Sequence, residues 1–475
     1  MSRVSRRSLL TFLAGSALAG CAVGPTYVRP ISPISPTYKS LQGWSPAAPA
    51  DALDRGPWWT LFGDPTLDGL MGRVNVSNQT LIAAEAAYRQ ARALVAEQRA
   101  ALFPTVGLDG GATRTGGRGS TTDSTGATVS RDRSTTYRVN LGASWEPDVW
   151  GRIRRTIEAA KAQAQASEAD LAAARLSTQG ELAADYFLLR ESDAEISLVQ
   201  STIAAYQRNA QITENRYRQG VVARSDSLQA QTQLANAQAD LEGLTRQRAT
   251  FEHAIAVLVG EAPGNFALPP AAWIERVPEI PPGVPSALLQ RRPDIAAAER
   301  RAAAANAQIG VAQAAWFPDI TLTGSYGGTA SQIGNLLSAS NTVWSLGAAL
   351  AETLFDAGAR GARVRGARAA YDQAVAEYRQ TVLTALQDVE DQLTATQVLA
   401  RQHELRRQAS TAADQTEQIL LNQYNAGRVS YLEVVVAQAS ALSARRTLVQ
   451  AAVDRQTTAV ALIQALGGGW AARHG

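Results

Sequence analysis

The sequence predicts a mainly α chain carrying part of a transmembrane β-barrel: long coiled helical hairpins with four short strands per protomer, one plan used twice. Three observations predict it. The chain repeats itself at a period of about 210 residues, which makes it one long module duplicated rather than an array of short units. Two very long stretches, from Arg152 to about Gln219 and from Arg360 to about Asn425, contain no proline. After Pro104 and again after Pro318 the pattern changes to the apolar–polar alternation of strands.

Composition agrees with this plan. Of 475 residues, 45% are apolar but only 6% aromatic, and alanine fills the difference, which favours long, closely packed helices. The net charge is +3. Arg3, Arg6 and Arg7 supply the whole excess, so the rest of the chain is balanced and lacks the basic surplus of a nucleic-acid binder. A single cysteine rules out an internal disulfide and a Cys-rich metal site. His253, His403 and His474 are too scattered for a zinc centre. No metal, cofactor or catalytic cluster is expected.

Residues 1–20 form an export signal, with three arginines, the apolar run Leu9–Gly15 and small residues before Cys21. Leu18-Ala19-Gly20-Cys21 has the order of a bacterial lipobox, with Cys21 as the lipidated first mature residue; an ordinary signal with an incidental cysteine is the alternative. Ser5-Arg6-Arg7-Ser8-Leu9-Leu10 also resembles a twin-arginine signal. Residues 21–65 read as a lipidated, proline-punctuated linker laid along a surface.

Residues 66–280 and 281–466 are the two repeats, followed by a tail, 467–475. Ala101-Leu102-Phe103-Pro104 aligns with Ala315-Trp316-Phe317-Pro318, and Tyr217–Val222 with Tyr424–Val429. Each half opens with a helix that stops at a proline, Leu67–Leu102 in the first and Ser286–Phe317 in the second. Strands then follow at Thr105–Gly111 and Tyr137–Trp145, and at Asp319–Tyr326 and Val343–Leu350. Gly/Ser/Thr-rich loops join them at about 116–134 and 329–340.

Four strands cannot close a barrel, and an open edge cannot sit in lipid. Three chains would supply twelve, an acceptable number for a small pore; a small soluble sheet is the alternative that the strand pattern leaves open. Tyr137, Trp145, Trp150, Tyr326 and Trp344 suit interfacial positions. The proline-free helices would each run roughly 100 Å and need partner helices. Three- and four-residue spacing supplies the seams, from Leu234 through Ala237, Leu241 and Leu244 to Leu258, and from Leu432 through Val435, Ala439 and Leu442 to Ile463. The hairpins turn at Gly220 and Gly427.

Several short motifs occur in order along the mature chain: Cys21–Tyr27, Trp58-Trp59, Phe62-Gly63-Asp64-Pro65, Glu146–Arg152, Arg291-Arg292-Pro293-Asp294-Ile295 and Leu466-Gly467-Gly468-Gly469-Trp470. With the duplicated plan, they make the chain resemble the TolC-like outer membrane efflux factors, in the lipoprotein (NodT/OprM-like) branch that serves resistance–nodulation–division pumps. The resemblance implies a homotrimer with a twelve-stranded barrel in the bacterial outer membrane, lipid-anchored, and an α-helical barrel extending through the periplasm. It implies a periplasmic adaptor (membrane fusion) protein and an inner-membrane resistance–nodulation–division transporter as partners. The channel would be a passive exit for drugs and small molecules. A channel for type I protein secretion and a pore-less surface coiled-coil lipoprotein are the alternatives.

The resemblance also assigns sites. The tips Gly220, Val221, Val222, Gly427, Arg428 and Val429 would meet the adaptor. Asp226 and Glu433 would form carboxylate rings at a periplasmic gate, and Tyr424 would hold the closed state through the neighbouring hairpin's acid, Asp226. The residues have local roles as well. Glu433 completes a capping box with Ser430, and Asp226 suits a helix first turn. Val429 and Val436 stand where the family carries a basic and an acidic residue, so the usual salt-bridged lock is lacking.

Overall fold

A computed structural model describes residues 22–32, 38–39, 57–116, 120–122, 128–130, 133–278, 280 and 292–468. The export signal, Cys21, most of the linker, Arg291 and the tail beyond Gly468 lie outside the described residues. In chain order the helices and strands are α1 (Pro65–Ser77), α2 (Gln79–Ala100), β1 (Thr105–Thr115), β2 (Ser120–Thr122), β3 (Thr128–Ser130), β4 (Ser134–Trp145), α3 (Arg152–Arg218), α4 (Arg224–Leu258), α5 (Pro293–Ala314), β5 (Asp319–Ala330), β6 (Thr342–Ala351), α6 (Ala359–Asn425) and α7 (Tyr431–Ala465). Two compact units result, each drawing on both repeats. One holds Arg89–Ala166, Glu299–Glu377 and the described part of Met1–Pro30; the other holds the described parts of Ile31–Tyr88, Ser167–Ala298 and Tyr378–Gly475.

The first unit is built on an antiparallel sheet in the order β1-β4-β5-β6. Its register lines Leu108, Leu141, Tyr326 and Trp344 across all four strands. Val106, Ala143, Gly324 and Leu346 form another row of the same parity. Because side chains alternate between faces, these rows share one face with Trp145, Leu322, Ile320 and Leu350. Asp109, Asn140, Ser144, Thr323 and Ser345 occupy the other. The apolar face is uncovered within the unit: Leu346 is 81% and Trp344 68% exposed. β2 and β3 pair as a small separate hairpin in the loop between β1 and β4.

Both strand-to-helix junctions use the same chemistry. Asp148 accepts from the Ile153 and Arg154 backbone N–H groups at the start of α3, while Arg152 donates to both carboxylate oxygens of Glu146 through Nε and Nη2. At α6, Asp356 accepts from the Gly358 and Arg360 N–H groups, and the Arg360 guanidinium reaches both Asp356 and Glu352. These carboxylates cap a helix start and neutralise an arginine fixed beside it.

The second unit is helical. α3 and α6 each have 67 residues within the whole chain, and α4 and α7 each have 35. The expected single helix Leu67–Leu102 is broken at Asn78. Its Oδ1 accepts from Leu81 N–H, so it caps α2, and its Nδ2 donates to the Leu258 carbonyl at the end of α4. The core gathers Phe62, Leu67, Met71, Tyr186, Phe187 and Ile255. Asp64 caps α1 and accepts from the Tyr186 hydroxyl. Arg292 holds Asp294, Asp388 and the Ala465 carbonyl, which accounts for its place in the Arg-Arg-Pro-Asp-Ile motif.

The seam of α4 lies where spacing puts it, with Ala237, Leu244, Ile255 and Leu258 buried. The seam of α7 holds from Leu442 onward but not at the tip. There Leu432 and Ala439 are exposed, and Tyr431, Val434, Ala437 and Ala441 are buried. At ~100° per residue, seating the large Tyr431 ring inside turns Leu432 outward. Among the described residues no helix is long and apolar enough to cross a membrane.

Candidate functional site

The two hairpin tips lie in the helical unit and are built alike. Gly220 and Gly427 both have φ of 71°, a left-handed conformation that favours glycine. At the first tip Gly220 N–H donates to Tyr217 O and Val221 N–H to Arg216 O, both at 2.9 Å. At the second, Gly427 N–H donates to Tyr424 O and Arg428 N–H to Gln423 O, again at 2.9 Å. This is the Schellman pattern, which satisfies the last carbonyls of a helix. Gly220, Val221, Gly427 and Arg428 are exposed, whereas Val222 and Val429 are half-buried.

The tips differ in what packs behind them. Tyr424 and Tyr431 bracket the second turn with ring centroids 5.2 Å apart, and Ala230 and Val434 complete a buried cluster spanning both hairpins. Arg216 of α3 places its guanidinium over the Tyr424 ring at 5.2 Å, a cation–π contact. Among the described residues the buried Tyr424 hydroxyl has no hydrogen-bond partner. The Tyr431 hydroxyl shares a hydrogen bond with Thr213. Burial, then the phenols of Tyr424 and Tyr206 and the Asp226 carboxylate, push it up to about 12.

The first tip is polar. Glu214 accepts from Ser227 Oγ at 2.7 Å and from Arg218 Nε at 2.9 Å, which bridges α3 to α4 across the turn. These bonds, Ser227 first, hold its carboxyl below the ordinary range.

The expected residues Tyr424 and Asp226 lie close together around Tyr431 at the tips. Tyr424 and Asp226 flank Tyr431, yet the Tyr424 hydroxyl does not bond Asp226 within the protomer. Asp226 is half-buried and accepts from Ser225 Oγ at 3.4 Å. Glu433 is exposed and accepts from the Ser430 N–H and hydroxyl, so its capping role is present. Arg216, Glu214 and Tyr431 were not singled out from sequence. The signal for Tyr431 was its position opposite Tyr424 across the glycine turn.

At the foot of the sheet, Trp150 stacks on Phe317 at 4.8 Å and donates to the Pro318 carbonyl, and Trp145 donates to the Leu102 carbonyl. A strap of N-terminal residues seats here. Val23 N–H donates to Trp150 O, and Arg155 donates to the Val23 and Gly24 carbonyls. Gly24 has φ of 113° and lies against the Gly310 backbone, where a side chain would collide.

The profile of the outer membrane efflux protein family matches residues 70–261 and again 284–468. The chain belongs to this family. Outer membrane protein OprJ of Pseudomonas aeruginosa is 31% identical over 465 residues, covering 96% of this chain and 95% of that one. The solved outer-membrane channel OprN is 33% identical with a TM-score of 0.85, covering 95% of this chain and all of that one. The open-state MtrE channel of Neisseria gonorrhoeae is 29% identical with a TM-score of 0.81, over 94% of this chain and 98% of that one. This efflux protein is thus an outer membrane channel component of an efflux pump, and not an enzyme. Its long helical hairpins and four antiparallel strands are the fold of these solved outer membrane channels.

Proposed function

We propose that three copies of this efflux protein join their sheets edge to edge into a twelve-stranded barrel and form a passive exit duct for drugs and other small molecules. The observation that carries this is the two-sided sheet. Its apolar rows are exposed while its opposite face is polar, as a lipid surface and a water-filled lumen require. Among the described residues β1 and β6 each have one unpaired edge, and such edges are excluded from lipid unless another copy closes them. From Tyr137 to Trp145 the strand rises about 26 Å at 3.3 Å per residue. Tilted, that covers roughly 20 Å of height between two aromatic levels, close to the ~25 Å apolar band of such barrels.

Lipid anchoring at Cys21 is supported by the strap, because Ala22 packs on Gly151 at the foot of the sheet. The anchor then enters the periplasmic leaflet beside the barrel. The exposed turns Gly220-Val221-Val222 and Gly427-Arg428-Val429 form the surface for a periplasmic adaptor. An inner-membrane transporter of the resistance–nodulation–division type supplies the energy, since the chain has no nucleotide-binding Gly-Lys-Ser/Thr loop. Under threefold symmetry Asp226 and Glu433 form carboxylate rings that favour cations, and Tyr424 sits behind them at the constriction.

The test is detergent extraction from outer membranes, followed by semi-native electrophoresis and planar-bilayer recording. A heat-modifiable trimer with discrete cation-selective steps is expected. A monomer soluble without detergent would refute the proposal. Co-purification with an efflux adaptor rather than a type I secretion adaptor assigns the system.

A further inference from the structure

A cavity of about 680 Å³ opens in the sheet-bearing unit, immediately below the strands. Its upper wall is Leu102 and Phe103, the two residues before Pro104 and β1, and Phe103 is 69% exposed. Its floor is apolar, from Ile157 and Ala162 of α3 and Ala303 of α5. Its rim is basic. Arg154 and Lys161 of α3, Arg99 of α2 and Arg300 of α5 line it, with Glu158 as the one acid.

The charges do not cancel. Arg154 pairs with Asp148, Arg300 with Glu299, and Glu158 with Arg155 outside the lining. Arg99 and Lys161 are exposed and have no ion pair among the described residues. Tyr27 closes one side. Its hydroxyl donates to Glu299 at 2.7 Å, and burial with that bond pushes its ionisation far up, so it stays a neutral hydrogen-bonding group.

We infer that this cavity holds an anionic phospholipid of the periplasmic leaflet, with its phosphate at Arg99 and Lys161 and an acyl chain along Phe103 and Ile157. Three features select a lipid. The cavity is amphipathic, with two uncompensated cations over an apolar floor. It is continuous with the aromatic foot of the strands, since Trp145 donates to Leu102 of its wall. It also lies under the strap that follows Cys21, at headgroup level on the periplasmic side. This inference rests on the membrane orientation proposed above.

The test is native mass spectrometry of the full-length, delipidated protein, titrated with palmitoyl-oleoyl phosphatidylglycerol or palmitoyl-oleoyl phosphatidylethanolamine. The wild type is expected to retain the anionic lipid preferentially. Arg99→Gln with Lys161→Gln is expected to weaken that retention by about tenfold or more, while Arg401→Gln with Arg406→Gln, two exposed arginines elsewhere, leaves it unchanged. Equal retention of the two lipids, or equal loss in both double variants, overturns the inference. Displacement of the lipid by glycerol phosphate at matched concentration assigns the cavity to a soluble phosphate and overturns it too. Single-channel conductance, recorded on the same preparations, stays unchanged if only the lipid site fails. Its absence in the wild type marks failure of the channel proposal instead.

Discussion

Arg216 lies over the face of Tyr424, 5.2 Å from guanidinium carbon to ring centre, and so ties the end of α3 to the end of α6. The tie depends on the ring and not on the hydroxyl, which is buried and has no partner among the described residues. Tyr424→Phe is therefore expected to leave single-channel conductance unchanged and to be neutral or slightly stabilising. Tyr424→Ala and Arg216→Ala remove the contact, worth about 0.5–2 kcal/mol, and should raise conductance. Tyr424→Ala with Asp226→Ala should raise it most. A conductance increase in Tyr424→Phe equal to that in Tyr424→Ala would show that a hydroxyl bond to a neighbouring subunit is the lock instead.

The sheet offers a second check on neighbouring residues. Leu346 belongs to the apolar face and Ser345 to the polar one. Leu346→Arg is expected to cost about 2–4 kcal/mol of barrel stability, because a cation is placed in lipid. Ser345→Arg faces the lumen and should fold normally, shifting ion selectivity toward anions. Heat-modifiability on gels and reversal potentials in salt gradients separate the two outcomes.

The third expectation concerns pH. Burial first, then repulsion from Glu195 and Asp454, raises Glu191 to about 7. A carboxyl whose folded value exceeds its unfolded one contributes fully at pH below its unfolded value. That contribution is lost as pH climbs through about 7. Wild-type protein should lose stability progressively between about pH 5 and about pH 8. Glu191→Gln should make the profile shallower, leaving the part due to Asp185, which burial and Glu181 raise to about 6, and be the more stable form at the alkaline end, as thermal unfolding across that range would report. A parallel pH profile in the variant would assign the effect to another group.

Much of this was legible from residue order, for physical reasons. Pro104 and Pro318 stop helices and start strands because the backbone allows little else. Gly220 and Gly427 turn the hairpins because a left-handed residue is needed there. The break at Asn78 was hidden because α1 and α2 share an apolar pattern. Asn78 is itself a favoured helix cap, but the bond to Leu258 that fixes the break is long-range and leaves no local mark. The inner stripe of α7 was misplaced near its start because spacing assigns no size to residues, and the Tyr431 ring takes the inside place. For the candidate gate, the resemblance named the acids and Tyr424 but not Arg216, whose contact comes from the meeting of two hairpins far apart along the chain.

The matched lengths of α3 and α6 limit how this protein can change in evolution. Each helix carries its own turn to a common level, where Tyr431 of one hairpin meets Thr213 of the other. One extra heptad in α3 alone would slide that turn by about 10 Å and part the two residues. A lineage that lengthened its hairpins would have to accept insertions in both halves at once, so hairpin length is expected to shift in whole, paired steps.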